Sequence, residues 1–389
     1  MLMIPFQTSL VPNRWKKTVQ TMLEKDPGHP WIHRLRIIEL FDSQVNAGFQ
    51  IFIGRNMVWS AVERNKLHPS SYGSTPGKMA ASAILQKVLC VDQLKLERRA
   101  GGLFDCDAKG CYDRIIPAFA SIHLQALGLA QSIATLMASL MFVMERHVKT
   151  RQGISKKYIR TTKKKALLGI GQGNGGGPAI WLAHLTVMFT ALSAVYKGFS
   201  TKCIQKKNKI RTVGTGYVDD VTLMVTTEKS ENQTEVSVKK HVKRIAKTWE
   251  KLLHLTGGKL ELSKCFWIPI TWGWKSGTLV MKHKPRQRTE LTLVDSGTGQ
   301  VVTIDRISPI KAEKRLGIRY SLDGKWTEEY RYWKNYSRSF ATKMSRARMD
   351  RLGGYHAYNT LWCSKFRYSS PVLGLTESQL GKVDRKSVV

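Results

Sequence analysis

Apolar positions recur with helical spacing through much of the chain. The spacing predicts a helix with Val45, Phe49, Phe52 and Ile53 on one face and a second over 79–98 that ends in basic residues. A third, over 128–147, carries Ile133, Leu136, Met137, Leu140 and Met144. Pro178 opens a nearly all-apolar stretch to Tyr196, read as a buried core helix, and a basic amphipathic helix over 231–255 presents Val238, Val242, Ile245, Trp249, Leu252 and Leu253. Between these the period shortens to strands at 34–40, in the lead-in to Asp107, at 214–225 folded as a tight hairpin, and at 259–267. Ser70–Lys78 is a loop by its Gly, Pro and Ser content. Turn residues at Ser276-Gly277 and Asp295-Ser296-Gly297 punctuate hairpin pattern over 272–303, and from Trp326 the chain is helical through 352 and on to Val383.

Charge narrows the partner. In 389 residues, 63 Lys+Arg stand against 28 Asp+Glu, a formal charge of +35, while 42% apolar residues mark a folded chain. The cations are spread along the sequence rather than gathered beside one lipid-facing helix, so a polyanion such as nucleic acid ranks above a membrane surface. Six cysteines (90, 106, 111, 203, 265, 363) form no CxxC pair, which speaks against zinc or a disulfide framework and for reduced, intracellular thiols. Pro5 interrupts the apolar N-terminal stretch, which makes a poor signal peptide.

Several segments carry candidate chemistry. Asp219 and Asp220, adjacent at the hairpin tip, repel each other and call for a counter-charge; a hard divalent cation supplies it, and a plain polar turn is the other reading. Asp105 and Asp107 lie two apart, hence on one strand face, with Asp113 a short turn further on. Asp107 suits either a metal site or the cap of a helix starting near Tyr112. The run from Gly169 to Pro178 contains GxGxxG but lacks the acidic residue about twenty positions on that a dinucleotide site requires. What remains is a loop stripped of side chains that a flat or polymeric ligand can approach, with Gln172 as its long polar reach. Just ahead of it, Lys156, Lys157, Arg160, Lys163, Lys164 and Lys165 place six cations in ten residues, either a solvated face or a track for a phosphate backbone. Arg34 and Arg36 share a strand face toward phosphate or solvent. Beyond Trp326, aromatics interleaved with Arg and Lys fit a surface that follows a duplex or stacks bases, or else a polar helical bundle.

With Asp107 at a strand end, Asp219-Asp220 at a hairpin tip and a bare loop between them in sequence, the chain resembles the reverse transcriptases, among them those of non-LTR retroelements and group II introns. The resemblance is carried by Asp107-Ala108-Lys109-Gly110-Cys111-Tyr112-Asp113, by Gly171-Gln172-Gly173 through Pro178-Ala179, and by Tyr217-Val218-Asp219-Asp220, in that order. Arg36, Gly258 to Lys264, and Leu316-Gly317-Ile318 match the fingers arginine, motif D and the primer grip less specifically. The resemblance implies an α+β right-hand polymerase. Its fingers would cover 1–100, truncated at the N-terminus. A palm with an RRM-like antiparallel sheet would cover 101–275, with a fingers-derived insertion at about 126–210. The palm end, primer grip and mainly helical thumb would cover 276–389.

The implied reaction is template-directed nucleotidyl transfer from dNTPs to a primer 3′-hydroxyl on an RNA or DNA template. By the same resemblance Asp107, Asp219 and Asp220 would ligate two Mg²⁺ ions, with Mn²⁺ as the substitute, and Tyr112 would be the steric gate against a ribose 2′-OH. Gln172 and Gly173 would lie beside the incoming nucleotide and template, and Arg36 and Lys264 on the triphosphate. The implied partners are an RNA template and a DNA primer or RNA–DNA duplex, without a membrane, inside the cell and in the nucleus of a eukaryote. Gly177 stands where the family commonly has Ser before its Pro, which predicts a looser loop. The lack of an endonuclease domain ahead or an RNase H domain after predicts a fragment of a longer element or a bare polymerase core. A silent nucleic-acid-binding remnant and an intron maturase are the competing functions.

Overall fold

Two sheets organise the chain in the computed structural model, which describes residues 3–385 apart from 26, 30, 32–33, 163–166, 168, 203–208 and 285–289. Helix α1 (Ile4–Thr8) leads to the antiparallel strands β1 (Lys17–Glu24) and β2 (Leu35–Leu40). Asp42 caps α2 (Ser43–Phe49), which runs through a π-helical segment (Gln50–Met57) into α3 (Val58–Glu63), and α4 (Ala80–Leu96) follows the loop after it. Next come β3 (Gly101–Asp107), α5 (Cys111–Arg114), α6 (Pro117–Ala126), α7 (Gln131–Val143), β4 (Glu145–Thr150) and β5 (Gly153–Ile159). Helix α8 (Gly177–Val195) and the small pair β6 (Phe199–Lys202) and β7 (Lys209–Thr212) lead to the hairpin of β8 (Gly214–Tyr217) and β9 (Asp220–Thr226). After α9 (Glu235–Leu255) the chain forms β10 (Phe266–Ile270), β11 (Trp272–Lys275), β12 (Thr278–Met281), β13 (Leu291–Val294), β14 (Val301–Arg306), β15 (Glu313–Arg315) and β16 (Ile318–Tyr320). Helices α10 (Thr327–Arg346), α11 (Arg351–Ala357), α12 (Ser364–Ser369) and α13 (Glu377–Asp384) complete it.

The larger sheet has the order β13-β14-β10-β3-β9-β8, antiparallel except where β10 meets β14. Strand alternation divides its side chains between two cores. Phe104, Leu223 and Trp267 pack with Val242, Ile245 and Trp249 of α9 and Phe189 of α8. Leu103, Met224 and Ile268 face the other way, against Ile84, Val91 and Leu94 of α4. Asp105 and Asp107 belong to this second face, in step with Leu103. Gly101 and Gly102 allow the close approach, since a Cβ on Gly102 would stand 2.7 Å from Val238. The smaller sheet, β2-β1-β4-β5, is held by a buried pair: Arg146 Nε lies 3.1 Å from Glu39 Oε1, which also accepts from Thr18 Oγ1 at 2.9 Å.

Three expectations shift. The helix expected over 128–147 stops at Val143, because Arg146 and Val148 pair in β4 alongside β1 and the alternation there is that of a strand. The strand expected from Lys259 starts only at Phe266, after a 3₁₀ turn at Leu262–Lys264. The helix expected to 352 ends at Arg346, and Asp350 caps a new one. The apolar stretch 178–196 is α8, buried on nearly every side within the core.

Two histidines are folded in as neutral rings. His68 accepts from the Ser70 amide at 3.1 Å and stacks on Phe189, and burial, helped by the Lys78 charge, lowers its pKa from 6.5 to about 4. His184 sits 3.2 Å from His123 between their Nδ1 atoms, and burial lowers it to about 3. The unfolded chain takes up these protons near pH 6.5 and the folded chain does not. Their contribution is therefore complete above pH 6.5 and lost as the pH falls from there toward 4. Chemical denaturation across pH 7 to 4.5 is expected to show this loss, and a His68→Gln His184→Gln double variant to show a flatter profile over that window.

Candidate active site

The β8–β9 hairpin is clamped from two directions, by α8 and by the loop at 70–78. Val218, β-branched yet at φ +56°, makes its turn with Asp219, a conformation that persists only where neighbours enforce it. Trp181 of α8 donates its indole N–H to the Val218 carbonyl at 2.6 Å. Along the free edge of β8 the Gly216 amide donates to Ser70 O and its carbonyl accepts from Tyr72 N, both at 2.8 Å. Gly73 is required there, because a Cβ would sit 2.4 Å from the Val218 nitrogen. The loop at 70–78 thus covers a sheet edge.

The hairpin delivers its acids to β3. Asp107 and Asp220 are direct cross-strand partners, with Asp219 at the turn beside them. Desolvation raises the Asp219 carboxyl above its ordinary value, and Asp107 adds to this while Lys264 and Arg36 oppose it. Asp220 is raised by desolvation and then by Asp219, with Lys87 opposing. The segment after α9 docks on the end of β3 through Glu261 N to Asp107 O at 2.9 Å and Lys109 N to Lys259 O at 2.8 Å. That docking brings exposed Lys264 to Asp107, Nζ to Oδ2 at 2.7 Å, a contact that raises the lysine pKa. Tyr112 packs edge-on to Trp181 and lies beside Gly177; burial raises its hydroxyl pKa, and the charge of Asp219 adds.

The donor chemistry fits a hard divalent cation: three carboxylates from two adjacent strands and their turn, two of them held above their usual range by desolvation and then by a neighbouring carboxylate, Asp107 for Asp219 and Asp219 for Asp220, which a bound cation relieves. In these side-chain positions Lys264 holds Asp107, and among the described residues no three His, Cys, Asp or Glu side chains are grouped closely enough to hold an ion.

The bare loop before α8 is not bare toward a ligand along its length. A Cβ on Gly171 would meet the Glu39 carboxylate at 2.4 Å, one on Gly173 the Glu39 carbonyl at 2.3 Å, and one on Gly175 the Asn46 carbonyl at 2.5 Å. These glycines let the loop lie on β2 and α2, and Gln172 O accepts from the Glu39 amide at 2.6 Å. The Gln172 side chain reaches Asp113 Oδ2 at 3.4 Å. Buried Asn174 braces the turn, donating to Ile170 O and accepting from the Gly176 amide.

Lys156, Lys157 and Arg160 project exposed from and just beyond β5, the edge strand of the smaller sheet, while Lys163, Lys164 and Lys165 lie outside the described residues. Several aromatics of the C-terminal helices face inward, while Tyr355 and Tyr368 are exposed. Trp333, Phe340 and Trp362 form a core of their own, and Lys365 and Arg319 cover the rings of Tyr336 and Tyr332 at 3.8 and 3.9 Å. This is the bundle reading of that segment rather than an open stacking surface.

Sequence reasoning passed over a second row of charges directly beneath the acids. Asp105 pairs across the strands with Thr222, which donates to its Oδ1 at 2.5 Å. Lys87 of α4, 4% exposed, donates to Thr222 Oγ1 at 2.5 Å and lies 3.9 Å from Asp105. Arg315 of β15 meets Asp105 Oδ2 at 2.6 Å. The signal was present: Lys87 interrupts the apolar stripe of Ile84, Val91 and Leu94, where a cation stays only with a buried partner.

Acids at the end of a central strand and at the tip of its neighbouring hairpin, on a sheet backed by helices, define an α+β palm of the polymerase kind. Residues 53–287 match the reverse transcriptase (RNA-dependent DNA polymerase) family, and the chain belongs to that family. A comparison with curated protein sequences finds no match. Among solved structures, telomerase from Candida albicans in complex with a fragment of telomeric RNA superposes with TM-score 0.50 at 12% identity, over 97% of this chain and 63% of that one. Telomerase from Candida tropicalis in the corresponding complex gives TM-score 0.45 at 12% identity, over 97% and 56%. This chain therefore spans about three fifths of the length of those telomerases, and the likeness concerns the fold.

The two glycines of the loop separate cleanly. Gly173, at φ +116° and against Glu39 O, is expected to lose about 2–4 kcal/mol of stability as Gly173→Ala, read as a lowered melting temperature. Gly177→Ser meets nothing closer than the Tyr112 ring at 3.6 Å and is expected to leave it within about 0.5 kcal/mol of the parent chain.

Proposed function

We propose that the chain is an RNA-directed DNA polymerase that transfers a nucleotidyl group from a dNTP to a primer 3′-hydroxyl on a nucleic-acid template. The observation that carries this is the pairing of Asp107 with Asp220 across β3 and β9, with Asp219 at the adjoining turn and the cations Lys264 and Arg36 acting on it. In this reading Asp107, Asp219 and Asp220 hold two Mg²⁺ ions, which when bound lower the pKa of the primer hydroxyl and steady the departing pyrophosphate. Lys264 and Arg36, which both act on Asp219, supply counter-charge for a triphosphate. Lys264 would then exchange Asp107 for phosphate oxygens. In this reading the Tyr112 ring, packed against Trp181 and Gly177, would bound the space beside Asp219 into which a 2′-hydroxyl projects, and Gln172 with Gly173 would lie near the incoming nucleotide and template.

The partners are an RNA template and a DNA primer. The exposed cations of β5 contact the phosphate backbone, and binding weakens as salt rises. The finer assignment to the enzymes of non-LTR elements and group II introns rests on the order and intervals of the three motifs.

Primer extension on an RNA template with dNTPs and Mg²⁺ tests the reading. The parent chain is expected to extend, and Asp219→Ala and Asp107→Asn to lose on the order of a thousandfold in rate with template affinity nearly unchanged. Salt-sensitive binding without synthesis by the parent chain would sink the proposal in favour of a silent remnant. Structure-selective binding of an intron RNA, again without extension, would point to a maturase.

A further inference from the structure

The charge row beneath the acids joins four elements that are far apart in sequence. Lys87 brings α4, Thr222 the hairpin strand β9, Asp105 the central strand β3, and Arg315 the strand pair β15–β16. Two cations flank one carboxylate, and the surplus positive charge lies under Asp220, which Lys87 helps to keep ionised. Burial of this kind is costly, and an apolar side chain of similar size would fill the space at least as stably.

The turn after Arg315 explains what the row can hold. Leu316 and Gly317 both take positive φ, +46° and +82°, immediately beyond the anchored guanidinium, which is itself packed over the Phe266 ring at 4.9 Å. From the other side Tyr368 of α12 donates to Leu316 O at 2.7 Å, and its ring lies 3.2 Å from where a Gly317 Cβ would stand. The turn is thus held between the buried charges and one ring. A cavity of about 140 Å³, lined by Asp107, Asp220, Lys264, Arg315 and Leu316 among others, separates it from the acids.

We propose that Lys87, Asp105 and Arg315 are positioning residues that keep the 316–317 turn in register with the Tyr217–Asp220 hairpin, so that a primer end resting on the turn meets the acids at a fixed distance. This rests on the polymerase reading. None of the three needs to touch substrate; they act through Thr222, the strands and the turn.

Lys87→Met is the informative variant, because it leaves Asp105 and Arg315 as a balanced pair and the fold intact. Single-turnover addition of one nucleotide should slow about ten- to a hundredfold, while the dNTP and primer–template concentrations for half-maximal rate shift less than about twofold. Arg315→Met should do the same, and Arg315→Lys should recover part of the rate. The second readout does not depend on activity. The hydrogen bond and ion pair of Lys87 are to β9 and β3, yet hydrogen exchange of the amides paired between β15 and β16 should quicken about tenfold in Lys87→Met, with the melting temperature of the chain unchanged or raised. A parent chain that fails to extend would refute the polymerase reading alone, since exchange still decides the coupling. Wild-type exchange across β15–β16 in Lys87→Met would overturn the proposal, as would an undiminished rate in Lys87→Met where the parent chain extends.

Discussion

The constraint on which the rest of the structure depends is the register that sets Asp107 directly opposite Asp220. Like charges facing each other across an antiparallel pair are destabilising, and Asp219 at the adjoining turn makes the crowding worse. A slip of one residue would relieve the repulsion by turning every side chain of the strand to the other face. The slip is barred because Leu103 and Phe104 have separate cores waiting for them, and because Gly102 alone fits beneath Val238. Apolar packing therefore enforces an electrostatic arrangement that the acids by themselves would reject.

The surroundings offset that repulsion from several directions at once. Lys264 arrives on a 3₁₀ turn docked to the end of β3, Arg36 acts on Asp219 from the smaller sheet, and Lys87 comes from α4 below. Each belongs to a different element, so the charge balance of three carboxylates couples parts of the chain that are far apart in sequence. The strained turn at Val218 fits the same account. Trp181 and the Ser70–Gly73 edge hold a conformation that a β-branched residue would otherwise leave, and Asp219 keeps its place.

Much of this was legible in the sequence. The hairpin at 214–225, the strand into Asp107 and the amphipathic helix behind them follow from period and from turn residues, and those are local properties. What failed was the identity of partners. A run of glycines shows that something comes close, yet not whether it is a ligand or, as for Gly173, the carbonyl of Glu39. Aromatics set among cations in the C-terminal helical segment look the same whether they await bases or, like Trp333 and Trp362, each other. Helix gave way to strand at Val143 because β1 lies alongside Arg146 to Val148, a pairing made across more than a hundred residues. Lys87 was visible as a breach in an apolar stripe, but its meaning required Asp105 and Arg315 to be brought beside it by the fold.

The cations of this chain accordingly fall into two populations that respond differently to their surroundings. A surplus of +35 is far more than the site needs, and most of it is carried on the surface, as by Lys156, Lys157 and Arg160. Their attraction for a phosphate backbone is shared with counterions and fades within a Debye length, about 8 Å at physiological ionic strength. Lys87 and Arg315 are buried beside the carboxylate of Asp105, so added salt barely reaches them. In the proposed function, capture of nucleic acid and alignment at the acids are thus governed by separate charges. Salt can weaken the first while leaving the geometry of the second in place, because the buried row derives its strength from the low dielectric around it rather than from the net charge of the chain.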